Sequence, residues 1–251
     1  MAQQPYQRFR FGTPGGGAVS IGPPGPIPPV VKGLIAANVG IHLIAHLTNP
    51  DGAINAFALI PPRVVGDLEI WRLVTYQFLH AGAWHVALNM LMLWMFGSEL
   101  EQRWGSAFFL KYYLVCGIGG GLTYTLVRAG VNDPTLGASG AIFGVLMAYG
   151  MWFPNRVVLL GFLFPVRVRH VIVFVIVIEL LQGVESAGDG VAHAAHLGGM
   201  AFGYFYLRWW GAGGIGDLPT LKSAKRAYYR WRLRRLQRKR FGDGGGNPTI
   251  H

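Results

Sequence analysis

Apolar residues run along the chain in six stretches, at about 31–47, 84–96, 108–127, 138–153, 171–181 and 191–210, each closed by Gly, Pro, Asn, Asp or charged residues. A helix that crosses a bilayer needs roughly 20 predominantly apolar residues, so the shorter stretches must extend into their polar flanks. Gly, Ser and His recur inside several of them, as expected where helices line a wet cavity instead of facing lipid all round. The pattern predicts an all-α polytopic membrane protein, a six-transmembrane-helix bundle over residues 31–211. Ahead of it lies a Pro/Gly-rich leader, residues 1–30, with Pro14-Gly15-Gly16-Gly17 and Pro23-Pro24-Gly25-Pro26. That leader reads as disordered and cytoplasmic, and as no signal peptide, because no compact apolar region follows a basic one. The connection at about 48–83 is too long for an ordinary loop and is expected to carry structure of its own as a membrane-associated first external loop.

Composition agrees. The 251 residues are 52% hydrophobic and 13% charged, about half the ~25% charged fraction of a soluble domain. A net charge of +11 would point to nucleic acid if spread over a soluble surface, but it is gathered near the ends, so no nucleic-acid partner is expected. With six spans both termini share a side, and that side would hold Lys32, Arg103, Lys111, Arg156, Arg167, Arg169 and the eleven Lys/Arg from Arg208 onward. The other side would hold Arg63, Arg72 and Arg128 beside Asp51, Asp67, Glu69, Asp133, Glu185 and Asp189. The positive-inside rule places both termini in the cytoplasm, at the plasma membrane if the cell is prokaryotic. The basic tail, residues 212–251, interleaves its charges with Tyr228, Tyr229, Trp231, Leu233 and Leu236 and reads as a topogenic segment that meets anionic lipid. The single cysteine, Cys116, has no partner for a disulfide within the chain and reads as a buried hydrophobe.

Three short strings place reactive groups where polar side chains are costly. Gly137-Ala138-Ser139-Gly140 follows the turn formers Asn132-Asp133-Pro134 and opens the fourth stretch. Ser139 therefore falls where backbone N–H groups lack intrahelical acceptors, an arrangement that suits a developing oxyanion. Gly140, Gly144 and Ala148 make a small-residue stripe, and Ala195, Gly199 and Gly203 repeat it in the sixth stretch, allowing the two helices to pack closely. Close packing there would bring Ser139 and His196 to one depth near the outer ends of their helices, as a nucleophile and base require. Taken singly, Ser139 reads as a helix-packing serine and His196 as a core histidine; the pairing is what points to catalysis. His85 and Asn89 share a face of the second stretch, where their donors would meet a substrate carbonyl or bond between helices.

At these residues the sequence resembles the rhomboid family of intramembrane serine proteases. The match runs from about Trp71 to Gly203: Trp71-Arg72, His85 through Asn89, Gly97 with Glu101-Gln102-Arg103, Gly137-Ala138-Ser139-Gly140, and Ala195-His196-Leu197-Gly198-Gly199 through Gly203. The resemblance implies the six-helix fold of that family and a dyad lacking a carboxylate, with Ser139 as nucleophile and His196 as general base. It also implies an oxyanion hole of His85, Asn89 and the Ser139 N–H, transmembrane protein substrates, and no metal or organic cofactor. Phe143 stands where the family often has a tyrosine stacked on the catalytic histidine. Gly137, Gly140, Gly199, Gly203, Trp71 and Arg72 are expected in supporting roles.

Other chemistry is thinner. His42 and His46 form an i, i+4 pair, but no His-Glu-x-x-His string and no Cys cluster accompanies them, so zinc hydrolysis has little support. Glu179 is an acid inside the fifth stretch, a default functional flag for which the sequence names no partner. His193 precedes His196 by three residues, about 60° round the helix, and is expected to be dispensable. The competing readings are a proteolytically silent relative that binds membrane clients, disfavoured by the intact Ser139 and His196, and a proton-relay transporter using His196, His193 and Glu179, which lacks visible inverted repeats.

Overall fold

The computed structural model describes residues 25–160, 164–185 and 192–210. Expectations for the first 24 residues and for the basic tail lie outside the described residues. Helix α1 (Pro29–Thr48) leads into a connection that holds α2 (Pro50–Phe57), α3 (Pro61–Val65), α4 (Arg72–Thr75) and a 3₁₀ turn (Tyr76–Phe78). Next come α5 (Ala83–Met92), a π-helical turn (Leu93–Gly97) and α6 (Ser98–Trp104), followed by α7 (Ser106–Val127) and α8 (Ser139–Trp152). A hairpin of β1 (Val157–Leu160) and β2 (Phe164–Arg167) precedes α9 (Val168–Glu185) and α10 (His193–Trp210).

The residues at both junctions of α5, the π turn and α6 keep right-handed helical dihedrals, so 83–104 is one continuous rod. It ends because Gly105 takes φ +82°, a conformation that a Cβ would strain, and α7 begins directly after it. The apolar stretch at 84–96 underestimates this rod because its last turns are mostly polar, with Ser98 and Glu101 buried and Gln102 and Arg103 exposed. Glu101 explains why they are tolerated. Its carboxylate accepts Val30 N and Val31 N at 2.9 and 2.7 Å, the orphan donors of the first turn of α1, and Ser106 Oγ donates to it at 2.6 Å.

The packed interior is apolar, yet apolar side chains also cover the exterior and several polar ones are buried. Leu47, Ile44, Val173, Leu181 and Trp209 project outward, whereas Asn38, Gln77, Glu101, Glu179, His193 and His196 are buried. Bilayer is the solvent that permits this, because it solvates the apolar exterior and gives no reward for exposing a charge. By length and hydropathy taken alone, α1 is the described helix that qualifies as a span, with a mean hydropathy of 1.6. Helix α8 has 14 residues, about 21 Å of rise, and it packs against both α7 and α10, which also pack on each other.

The hydrophobic pattern predicts no strand, yet β1 and β2 pair antiparallel, Val157 opposite Arg167 and Leu160 opposite Phe164. Pro154 ends α8 and Pro165 blocks helix, so this short valine-rich segment adopts the extended form its branched side chains favour.

The connection before α5 is held from within. Buried Arg72 donates from Nη1 to Ala58 O at 2.6 Å and from Nη2 to Asn55 O at 2.7 Å, and its Nε pairs with Glu69. Trp71 is half exposed and donates to Ala56 O at 3.3 Å. Leu59 then forms a two-way backbone bridge with Thr135, joining this connection to the approach of α8. Arg72→Met should therefore leave the buried Ala58 carbonyl without its donor and Glu69 without its partner, while Asn55 O keeps Arg63 Nη1 at 3.1 Å, and should cost about 1–3 kcal/mol, read as a lower melting temperature in detergent; an unchanged melting temperature would refute the anchoring role.

Candidate active site

Ser139 is the first residue of α8, so its backbone N–H has no acceptor within the helix. The turn that delivers it depends on Gly137, at φ +130°, whose N–H donates to Tyr76 O at 2.9 Å. A Cβ at Gly137 would lie 2.9 Å from His85 Nε2 and 3.6 Å from Ser139 Oγ, which places the His85 imidazole beside the serine hydroxyl. Glycine is thus required there both for backbone conformation and for space. Tyr76, which accepts from Gly137, is buried, and its hydroxyl donates to Gly117 O at 2.7 Å; burial pushes that phenol well above its ordinary pKa.

His196 lies in the first turn of α10, with Nε2 2.8 Å from Ser139 Oγ. The ring of Phe143 stacks on it, centroids 4.1 Å apart and planes 11° from parallel, which fixes the plane of the imidazole. On the far side of the ring, Nδ1 lies 3.0 Å from Glu179 Oε2. The same carboxylate oxygen is 2.8 Å from His193 Nδ1. The resemblance implies a serine–histidine pair lacking a carboxylate; in this structure an acid on α9 sits behind the histidine on α10. His193 is likewise no bystander. Its 60° offset turns it away from Ser139 but toward Glu179, and Gly183, one turn beyond Glu179, gives its Cβ room.

The small-residue stripes meet, with one correction. A Cβ on Gly199 would fall inside the Gly140 carbonyl, and one on Gly144 would lie 2.9 Å from Gly199 O, so α8 and α10 touch backbone to backbone. Gly203 does not face Gly144; its missing side chain admits the Tyr112 hydroxyl and Cys116 of α7. Helix α7 wedges there, and Tyr112 donates to Gly144 O at 2.6 Å.

The His85 Nδ1 accepts from Ala81 N at 3.4 Å, which leaves its proton on Nε2, the nitrogen that faces Gly137 and Ser139. Asn89 is buried one turn on and donates from Nδ2 to His85 O at 2.9 Å, so one amide hydrogen is spent within its own helix. Trp71 and Arg72 bond Ala56 O and Ala58 O, next to the Leu59–Thr135 bridge. Beside His85 lies His80, ring centroids 5.0 Å apart. Burial, reinforced by His85 and His42, pushes His80 down to about 3, so it is neutral at physiological pH. Sequence reasoning did not single out His80, and it grouped Glu179 with His193 and His196 only in the proton-relay reading. The ligand atoms of Glu179, His193 and His196 lie within 4.8 Å of one another, a spacing a cation could use, and both imidazoles meet the same carboxylate oxygen, Oε2, at 2.8 and 3.0 Å.

Comparison with known proteins bears on these residues together. A family model described as the Rhomboid domain matches residues 67–211. RHOMBOID-like protein 12, mitochondrial, of Arabidopsis thaliana is 28% identical over 68% of this chain and 55% of its own length. Rhomboid protein 1, mitochondrial, of Saccharomyces cerevisiae is 37% identical over 51% of this chain and 38% of its own. Rhomboid protease GluP of Bacillus subtilis is 34% identical over 60% of this chain and 28% of its own. The chain thus spans about half the length of these curated relatives, or less.

Proposed function

This chain belongs to the rhomboid family, and on that premise we propose that it is an intramembrane serine endopeptidase that cleaves transmembrane segments of other proteins. The observation that carries the reading is the 2.8 Å contact between His196 Nε2 and Ser139 Oγ at the start of two apposed helices. The chain is an integral membrane protein; the proposal adds six spans, formed by α1, the 83–104 rod, α7, α8, α9 and α10. It also puts both termini on the cytoplasmic, positively charged side, with residues 1–30 and 212–251 flanking the membrane domain. A bacterial plasma membrane is the setting for a prokaryotic source, and relatives named mitochondrial place the same family in organelles as well.

In this mechanism His196 Nε2 takes the Ser139 proton as Oγ attacks the scissile carbonyl, and the C–O bond forms. The resulting oxyanion is met by the Ser139 N–H and the His85 Nε2–H, with Asn89 one turn further on. His196 then passes its proton to the leaving amide nitrogen, the C–N bond breaks, and water from the external side hydrolyses the acyl-enzyme. An intact substrate helix hides its carbonyls in hydrogen bonds, so segments with helix-destabilising small residues should be preferred.

The test is covalent. A fluorophosphonate probe should label the purified protein at Ser139 and fail to label Ser139→Ala. A folded wild-type protein that resists the probe would overturn the reading in favour of a silent relative that holds membrane clients. His85→Ala and Asn89→Ala should each lower kcat by about 10- to 1000-fold, and kcat more than they raise KM, since oxyanion donors act in the transition state. The His85 effect should be the larger, because its Nε2 lies beside Ser139 whereas one Asn89 amide hydrogen is spent on His85 O. Equal kcat with a raised KM would make them substrate-binding or packing residues.

A further inference from the structure

We propose that Glu179 is a positioning residue for the reaction, turning the Ser139–His196 pair into a three-membered relay, and that His193 holds Glu179 in place; this rests on the protease reading above. Four groups lie in sequence: Ser139 Oγ, 2.8 Å to His196 Nε2; His196 Nδ1, 3.0 Å to Glu179 Oε2; and that oxygen, 2.8 Å to His193 Nδ1.

The proton inventory decides what this arrangement does. A carboxylate has only acceptors, so each imidazole that bonds it must present an N–H. His196 therefore carries its proton on Nδ1, which leaves a lone pair on Nε2 aimed at the Ser139 hydroxyl. In the opposite tautomer, Nε2 would be protonated and unable to receive the serine proton. The carboxylate thus selects the competent tautomer, and it stabilises the imidazolium that forms once the Oγ–H proton has moved to Nε2. Glu179 itself neither gains nor loses a proton, and the Oγ–C bond forms as the Oγ–H bond breaks.

A buried acid on a helix whose neighbours Val177, Leu180 and Leu181 are exposed apolar residues is expensive to keep. Two imidazole donors on one oxygen offset that cost. The second donor also has a geometric use. With His196 alone, the carboxylate could rotate about its own side chain; with His193 on the same oxygen, its approach to His196 Nδ1 is fixed from two directions. Phe143 fixes the plane of the His196 ring, and Glu179 with His193 fixes its rotation within that plane. The alternative is that the Glu179 cluster merely ties α9 to α10, in which case its loss would lower stability without acting on the chemical step.

The experiment uses the full chain in detergent, with a transmembrane substrate and a fluorophosphonate probe. Glu179→Gln keeps shape and removes charge. It should lower kcat by about 10²–10⁴-fold with KM little changed, slow fluorophosphonate labelling in step, and melt near the wild type; Glu179→Asp should recover part of the rate. Ring ¹⁵N spectra of His196 should show a protonated Nδ1 and bare Nε2 in the wild type, and a mixture of tautomers in Glu179→Gln. If that variant does not fold, the wild-type spectrum and Glu179→Asp decide. A folded Glu179→Gln enzyme with wild-type kcat, or a wild-type His196 protonated on Nε2, would overturn the relay. A wild type that neither cleaves nor labels overturns the protease reading instead, and the spectra still report on the Glu179–His196 bond.

Discussion

Ser139→Ala and His196→Ala are each expected to reduce cleavage of a transmembrane substrate by about 10⁴-fold or more, with the double variant no worse than the poorer single. The non-additivity is the informative part. Ser139 Oγ and His196 Nε2 share one proton across 2.8 Å, so removing either end removes the same event. Neither has a substitute nearby. His193 is turned onto Glu179, and His85 presents a protonated Nε2, which makes it a donor and not a base. Ser139→Ala should melt close to the wild type, since it deletes one hydroxyl, whereas His196→Ala also takes a donor from buried Glu179 and should melt lower. Turnover like the wild type's in either single variant, measured on purified protein, would remove the pair from the mechanism.

Much of this site was legible in the sequence because its parts are local. Ser139 sits between turn formers and an apolar run, and that grammar alone puts it at a helix start. The small residues after Ser139 and around His196 identify two helices able to touch, and Phe143 at four residues from Ser139 lies on the correct face to meet the imidazole. What periodicity could not convey is contact between separate helices. Glu179 and His196 are 17 residues apart on α9 and α10, and nothing in either helix alone says that the acid turns toward the histidine. The stripe at Gly203 misled for a related reason: a pattern read on two helices has no place for a third, and it is Tyr112 of α7 that occupies the space. The rod at 83–104 outruns its apolar run because the polar groups at its end are satisfied by distant partners, Glu101 by the first turn of α1.

Polar anchoring explains why the first connection matters although it contributes no reactive group. Arg72 fixes the carbonyls of Asn55 and Ala58, Leu59 bridges to Thr135, and two residues later Gly137 bonds Tyr76 O. Each link is a backbone or buried hydrogen bond, so the chain reaching Ser139 is held at several points before the helix begins. A serine placed this way needs little reorganisation when substrate arrives, which is where preorganised sites gain over flexible ones.

The helix contact beneath the pair carries the last expectation. Gly199→Leu should abolish most activity although no reacting atom is removed, because the new side chain has nowhere to go. A Cβ there already falls inside the Gly140 carbonyl, one residue after Ser139, and Gly199 O lies close against Gly144. Helices α8 and α10 must part, and the Ser139–His196 separation grows with them; a displacement near 1 Å can cost about 10²-fold in rate. Overpacking of this kind also costs about 1–3 kcal/mol or more, so the melting temperature in detergent should fall together with kcat. Gly203→Ala gives the companion measurement. Its side chain would press on Tyr112 and Cys116 of α7 and not on α8, so it should lower stability with a smaller effect on kcat. A Gly199→Leu protein that melts like the wild type and cleaves at full rate would mean that α8 and α10 do not meet at this face, and the geometry that unites Ser139 with His196 would fall with it.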